Sequence, residues 1–158
     1  MAGDEGTYFE DLEVGYEFEF GAYEVTREEI IEFAQKYDPQ PFHLSDEAAA
    51  KMHFGKLCAS GWHTCAMVMH MTVDYLAEHK WHGLGGRGID KLNWKRPVYP
   101  GDVLRLKNKI IEARVSKSRP YMGLNVIEYK CLNQKDEVVM TYEATVFNLR
   151  KGYTAPDA

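Results

Sequence analysis

Hydrophobic and polar positions sort the chain into an opening strand, two short helices, one long apolar helix and a closing run of alternating strands. Over residues 16–25, Tyr16, Phe18 and Phe20 alternate with Glu17 and Glu19, the pattern of a half-buried strand. Residues 8–14 precede it with the scattered anchors Tyr8, Phe9, Leu12 and Val14, closing at Gly15. Thr26-Arg27-Glu28-Glu29 reads as a capping box and predicts a helix to about Tyr37, with Ile30, Ile31, Phe33 and Ala34 facing inward. Asp38-Pro39 stops it, because the residue before proline avoids the helical region. Ser45 caps a second, short helix with Asp46 and Glu47 in its first turn.

Residues 59–76 are the longest helix-compatible apolar stretch. Trp62, Ala66, Met69, Val73 and Leu76 recur at helical spacing and form the expected inward stripe. Cys65, Met67, Val68 and Met71 make the other side uncharged too, so the helix is expected to be buried nearly all round. Asp74 and two histidines within it argue against a membrane span. Ser60 is the expected N-cap, which brings free N–H groups and the positive dipole end to Gly61.

After this helix, the histidine- and glycine-rich residues 78–88 are expected to form a loop. Strands are expected at 88–95, 103–114, 122–132 and 137–150, with a proline-glycine turn at 96–102 and a hairpin at 133–136. Helices followed by grouped strands imply an α+β fold, an antiparallel sheet wrapped over one helix.

Composition narrows the function. A chain of 158 residues with 45% hydrophobic and 27% charged residues is the size of one globular domain. Its net charge of −5 offers no basic field for nucleic acid, while leaving room for a local cluster that binds phosphate. The acidic residues 1–15 lack the apolar run of a signal peptide, and Cys58, Cys65 and Cys131 lack disulfide or metal spacing, so a reducing, cytoplasmic setting is expected. His63 and His70 stand two helical turns apart, too far to share a metal by helix spacing, and Met67 occupies the position between them. His79 and His82 are expected to be solvated in the loop.

Three stretches carry a family resemblance. Residues 38–43 read DPQPFH, an Asp and a His separated by four residues with proline between; residues 54–61 read FGKLCASG; residues 96–102 read RPVYPGD. Together, across about residues 8–150, they resemble the MaoC-like dehydratases, or R-specific enoyl-CoA hydratases, of the hot-dog fold. Tyr37 stands where the family usually has glycine, Gln40 where it has asparagine, and Ser60 where many members have histidine.

The resemblance implies a single hot-dog domain at 8–150, with residues 1–7 disordered and 151–158 a tail. It implies reversible hydration of a trans-2-enoyl-CoA to the (R)-3-hydroxyacyl-CoA. Asp38 and His43 would grip a water as paired general base and acid, and the Gly61 N–H would hold the thioester oxygen. An imidazole titrates in the useful range, burial could tune Asp38, and the stiff Pro39–Pro41 link would fix their separation. Gln40, Phe42, Ser60, Trp62, Arg87 and Arg96 are the expected substrate-binding residues, with Lys91 and Lys95 as further partners for the phosphates. Coenzyme A is part of the substrate, and neither cofactor nor metal is expected. Bulky Trp62, Phe42, Phe54 and Met69 would narrow a tunnel and favour short or branched acyl groups. A homodimer or dimer of dimers is implied, without nucleic acid or membrane as partner. A hot-dog thioesterase and a non-catalytic acyl-CoA-binding module are the alternatives.

Overall fold

The computed structural model describes residues 5–155. Alternation makes β1 (Glu17–Glu24), and helix α1 (Arg27–Tyr37) follows at its cap. The Thr26 hydroxyl accepts the Glu29 N–H at 3.3 Å, but the Glu29 carboxylate accepts the Tyr23 hydroxyl at 2.5 Å instead of closing the capping box. A 3-10 turn over Pro41–His43 and the short helix α2 (Asp46–Ala49) lead to the long helix α3 (Gly61–Glu78). Strands β2 (Gly83–Trp94), β3 (Val103–Val115), β4 (Met122–Leu132) and β5 (Val138–Leu149) complete one antiparallel sheet in the order β1-β3-β4-β5-β2. Register shifts in all four strand pairs mark bulges, which bend a sheet and increase its twist. The expected α+β architecture, a sheet wrapped on one helix, is present.

Two expectations fail here. The first is the face that α3 buries. His63, Thr64, Met67, Val68, Met71, Thr72 and Tyr75 pack inward, while Trp62, Met69 and Val73 of the expected stripe are 59%, 54% and 49% exposed. A helix apolar on both sides carries no sequence signal for which side meets the sheet. Its buried face meets Leu104, Leu106, Ile110, Ile127 and Met140 in the core cluster. The second is the loop at 78–88. β2 already begins at Gly83, and its run of glycines pairs with β5 through three register shifts. Glycine-rich sequence hides a strand because it offers no alternating side chains.

Residues 1–4 and 156–158 of the expected disordered start and tail lie outside the described residues. Thr7, at the end of the expected disordered start, is instead buried and bridges Trp81. His79 and His82 are anchored, not free in solvent: His79 stacks on Tyr75 at 3.9 Å and His82 on Tyr8 at 4.0 Å. Among the described residues no helix is long and apolar enough to cross a membrane.

Candidate active site

Asp38 sits at the C-cap of α1, outside the helical region that the proline at 39 disfavours for it. The 3-10 turn then swings His43 back beneath it, so that two residues joined by a stiff segment share one point. Three contacts fix the pair. The Ser60 hydroxyl donates to Asp38 Oδ2 at 2.6 Å, and the Gln40 amide donates to Asp38 Oδ1 at 2.8 Å. On the other side His43 Nδ1 lies 2.7 Å from the Cys58 carbonyl oxygen. A carbonyl only accepts, so Nδ1 carries the proton, and in the neutral ring Nε2 is a bare acceptor.

That acceptor faces Asp38 Oδ2 at 3.5 Å. His43 is buried and the Asp38 side chain is 17% exposed. Burial pushes the Asp38 carboxyl up, but the Ser60 and Gln40 donors, together with His43 whenever its ring is protonated, outweigh it and hold the carboxyl below its usual value. Burial is the largest single influence on Asp38, and it is overcome only by the others acting together. Two acceptors this close can both take a hydrogen bond from one donor with two protons seated in front of them, which is what a water supplies.

Ser60 ties this pair to α3. Besides donating to Asp38, its oxygen accepts the Trp62 N–H at 3.3 Å as the N-cap of the helix. Gly61, the first helical residue, has no acceptor for its N–H among the described residues. Trp94 of β2 covers Gly61 and donates its indole N–H to the Gly61 carbonyl at 3.0 Å. A Cβ at position 61 would lie 2.4 Å from the Trp94 ring, so only glycine fits beneath this indole.

One cavity of about 530 Å³ brings most of the expected residues together: Asp38, Gln40, Phe42, His43, Ser60, Gly61, Trp62 and Arg96 all line it. Phe42 packs edge-on to His43 at 4.5 Å and against Phe54 at 5.2 Å, while Trp62 meets Trp94 edge-on at 5.4 Å. Arg87 is not among them. It lies on β2 and lines a separate, apolar cavity of about 430 Å³ with Phe18, Phe20, Met69, Tyr75 and Trp81. Lys91 is engaged by Glu143 at 2.8 Å. His63 and His70 line neither of these cavities but a third one, where His63 stacks on Phe33 at 4.7 Å. No group of three His, Cys, Asp or Glu residues converges as a metal site among the described residues.

Sequence reasoning missed four partners: the Cys58 carbonyl that fixes the His43 tautomer, the hold of Gln40 and of Ser60 on Asp38, and the Trp94 lid on Gly61. All but the Gln40 contact join residues far apart in the chain, and only the Asp38–Gln40 spacing had a local signal. Cys58 Sγ is also close to His43 Nδ1, at 3.8 Å, but burial pushes that thiol up to about 11, so it stays protonated at neutral pH and is no ready nucleophile.

Residues 11–129 match the family described as MaoC like domain. Over 141 residues the chain is 31% identical to a 3-hydroxybutyryl-CoA dehydratase of Methylorubrum extorquens, covering 88% of this chain and 82% of that protein. A crystal structure of the MaoC-like dehydratase from Rhodospirillum rubrum is similar with a TM-score of 0.85 and 38% identity, over 94% of this chain and 100% of that one. A Mycobacterium tuberculosis protein with a double hot-dog fold superimposes with a TM-score of 0.75 at 16% identity, over 99% of this chain and 48% of that one. The fold is the hot-dog fold.

Proposed function

The chain belongs to the MaoC-like domain family, and on that premise we propose that it is a hydro-lyase adding water reversibly to a trans-2-enoyl-CoA to give the (R)-3-hydroxyacyl-CoA. The observation that carries this reading is the pair of facing acceptors, Asp38 Oδ2 and His43 Nε2 at 3.5 Å, in one cavity with the open N–H of Gly61.

Water donates one hydrogen to Asp38 and one to His43. As its oxygen bonds to C3 of the enoyl group, the pair takes up one proton and the π electrons shift toward the thioester oxygen. The Gly61 N–H, at the positive end of α3, stabilises that oxygen; a preorganised donor of this kind lowers the barrier by roughly 3 kcal/mol. The enolate then collapses and C2 receives the proton held by the pair, so the atoms of one water end on C3 and C2. Ser60 and Gln40 keep Asp38 anionic and oriented, and the Cys58 carbonyl keeps His43 in the accepting tautomer. Phe42, Phe54, Trp62 and Trp94 give the cavity apolar walls that leave room for a short acyl group. The dehydratase relative acts, by its name, on a four-carbon hydroxyacyl-CoA, which agrees with that size.

The enzyme works as a homodimer in this reading. Trp62, Met69 and Val73 on α3 and Ile89 and Trp94 on β2 are all about half exposed or more. β2 is an edge strand, and a second copy would both cover it and close the cavity beside Trp62 and Trp94. Three free cysteines fit a cytoplasmic location.

Incubation of the purified protein with crotonyl-CoA tests the function directly. Loss of the conjugated thioester absorbance with formation of the R product is expected. Release of free coenzyme A thiol instead would make the protein a thioesterase, and binding without turnover of any enoyl-CoA would make it a carrier.

A further inference from the structure

A second cavity, of about 450 Å³, adjoins the Asp38–His43 cavity, and the two share Arg96 and Pro97. Three segments build it: Lys56 ahead of α3, the turn from Arg96 to Asp102, and the hairpin between β4 and β5 that carries Gln134, Lys135 and Glu137.

Its charges are unequally committed. The buried Asp102 carboxylate accepts the Tyr99 N–H at 2.9 Å and the Gln134 amide at 3.0 Å. Glu137 accepts the Asn133 amide at 2.9 Å. The cations are held more loosely. Lys56 Nζ rests 4.4 Å above the Tyr99 ring, which is anchored by its hydroxyl donating to the Phe54 carbonyl at 2.9 Å. Arg96 approaches Glu137 only at 3.8 Å. Neither Lys56 nor Lys135 has a carboxylate within ion-pair reach among the described residues. Lys95, on the site-cavity side, continues this row of cations. In a chain of net charge −5, Asp102 is turned into the scaffold and Glu137 is shared between Asn133 and Arg96, while Lys56 and Lys135 stay available.

We propose that this cavity holds the phosphorylated nucleotide end of coenzyme A, with Lys56, Arg96 and Lys135 on its phosphates. The pantetheine arm runs past Pro97 to the thioester at Asp38 and His43. The inference rests on the acyl-thioester reading above. A concave pocket suits a nucleotide, whereas a carrier protein would dock on an outer surface and bring one phosphodiester. The phosphate contacts therefore belong to this turn and hairpin, not to Arg87 or Lys91.

The test compares kcat/KM for crotonyl-CoA, crotonyl-3'-dephospho-CoA and crotonyl-pantetheine in the wild type and in Lys56→Gln/Lys135→Gln. The preference for crotonyl-CoA over crotonyl-pantetheine should fall about tenfold in the variant, and in the wild type it should shrink as salt rises. The dephospho ester should lie between the other two. An unchanged preference in a folded variant overturns the proposal, as does a variant that loses only turnover of a crotonyl carrier protein. If the variant does not fold, adenosine 3',5'-bisphosphate decides with the wild type: competition with crotonyl-CoA supports the site, and no inhibition overturns it. If no thioester is turned over at all, the hydratase reading fails separately, and calorimetry with the bisphosphate still tests the cavity, absence of binding overturning it.

Discussion

The first turn of α3 and the body of the same helix are held in place by different forces. The body is held by packing: Met67, Val68, Met71 and Tyr75 are buried against the sheet, and Tyr75 stacks on Phe20 at 4.2 Å. The first turn is held by directed bonds, with Ser60 joined to Asp38, and Trp94 to the Gly61 carbonyl. Packing depends on volume and tolerates exchanges that conserve it. A directed bond tolerates no loss of its donor, since the partner is left unsatisfied in a partly dry site. The two regions should therefore separate stability from activity along one helix.

The largest effect is expected where the chemistry sits. Asp38→Asn or His43→Ala should lower kcat for crotonyl-CoA by about 100- to 10,000-fold, with a loss of stability of about 1–3 kcal/mol that is too small to account for it. A steady-state assay paired with calorimetry checks both halves. Met67→Ala should do the reverse, since Met67 is 1% exposed in the core. A loss of about 2–5 kcal/mol in denaturant unfolding is expected, with specific activity of the folded fraction retained.

Gly61→Ala lies between the two regions and tests their boundary. Its methyl group would meet the Trp94 ring, so kcat should fall by roughly 10- to 100-fold as the indole and the helix start move apart. Combining it with Trp94→Ala should recover part of the loss if the clash is the cause, and a double-mutant comparison of rates measures this.

Ser60→Ala should give a smaller effect with a definite sign in pH. Ser60 donates to the Asp38 anion and helps hold its carboxyl low. The proposed catalysis needs the anion, so activity should fall as pH drops through the Asp38 pKa. Removing the donor raises that pKa and should move the acid limb of kcat/KM to higher pH, with about a tenfold loss of rate. The same depression contributes stability above the unfolded pKa that is lost as pH falls through the folded one, so the variant should also lose some stability at neutral pH. A pH profile and unfolding at two pH values check these signs. The smallest effect on the single chain is expected for Val73→Glu on the outer face of α3, which should leave its fold intact and shift sedimentation from dimer to monomer.

What could be read from the sequence follows the range of each interaction. Asp38 and His43 were legible because the prolines between them make their relation local. The strands β3, β4 and β5 were legible because alternation is local too. The orientation of α3 was not, because Trp62, Met69 and Val73 are as apolar as the residues that the core takes. Their exposure is a property of the sheet's position, not of the helix. The start of β2 was hidden for the same kind of reason: its glycines become a strand only against β5. Ser60 could be identified as a cap, but its bond to Asp38 spans a sequence separation of 22 and depends on how α1 and α3 cross.

The central claim is that Asp38 and His43 move a proton from water to C2. It is tested most directly by following crotonyl-CoA in heavy water by NMR with the wild type and with Asp38→Asn. The wild type should form (R)-3-hydroxybutyryl-CoA carrying one deuteron at C2, and the variant should form it at least about 100-fold more slowly. Hydration by the variant at the wild-type rate, or no hydration by the wild type, would contradict it.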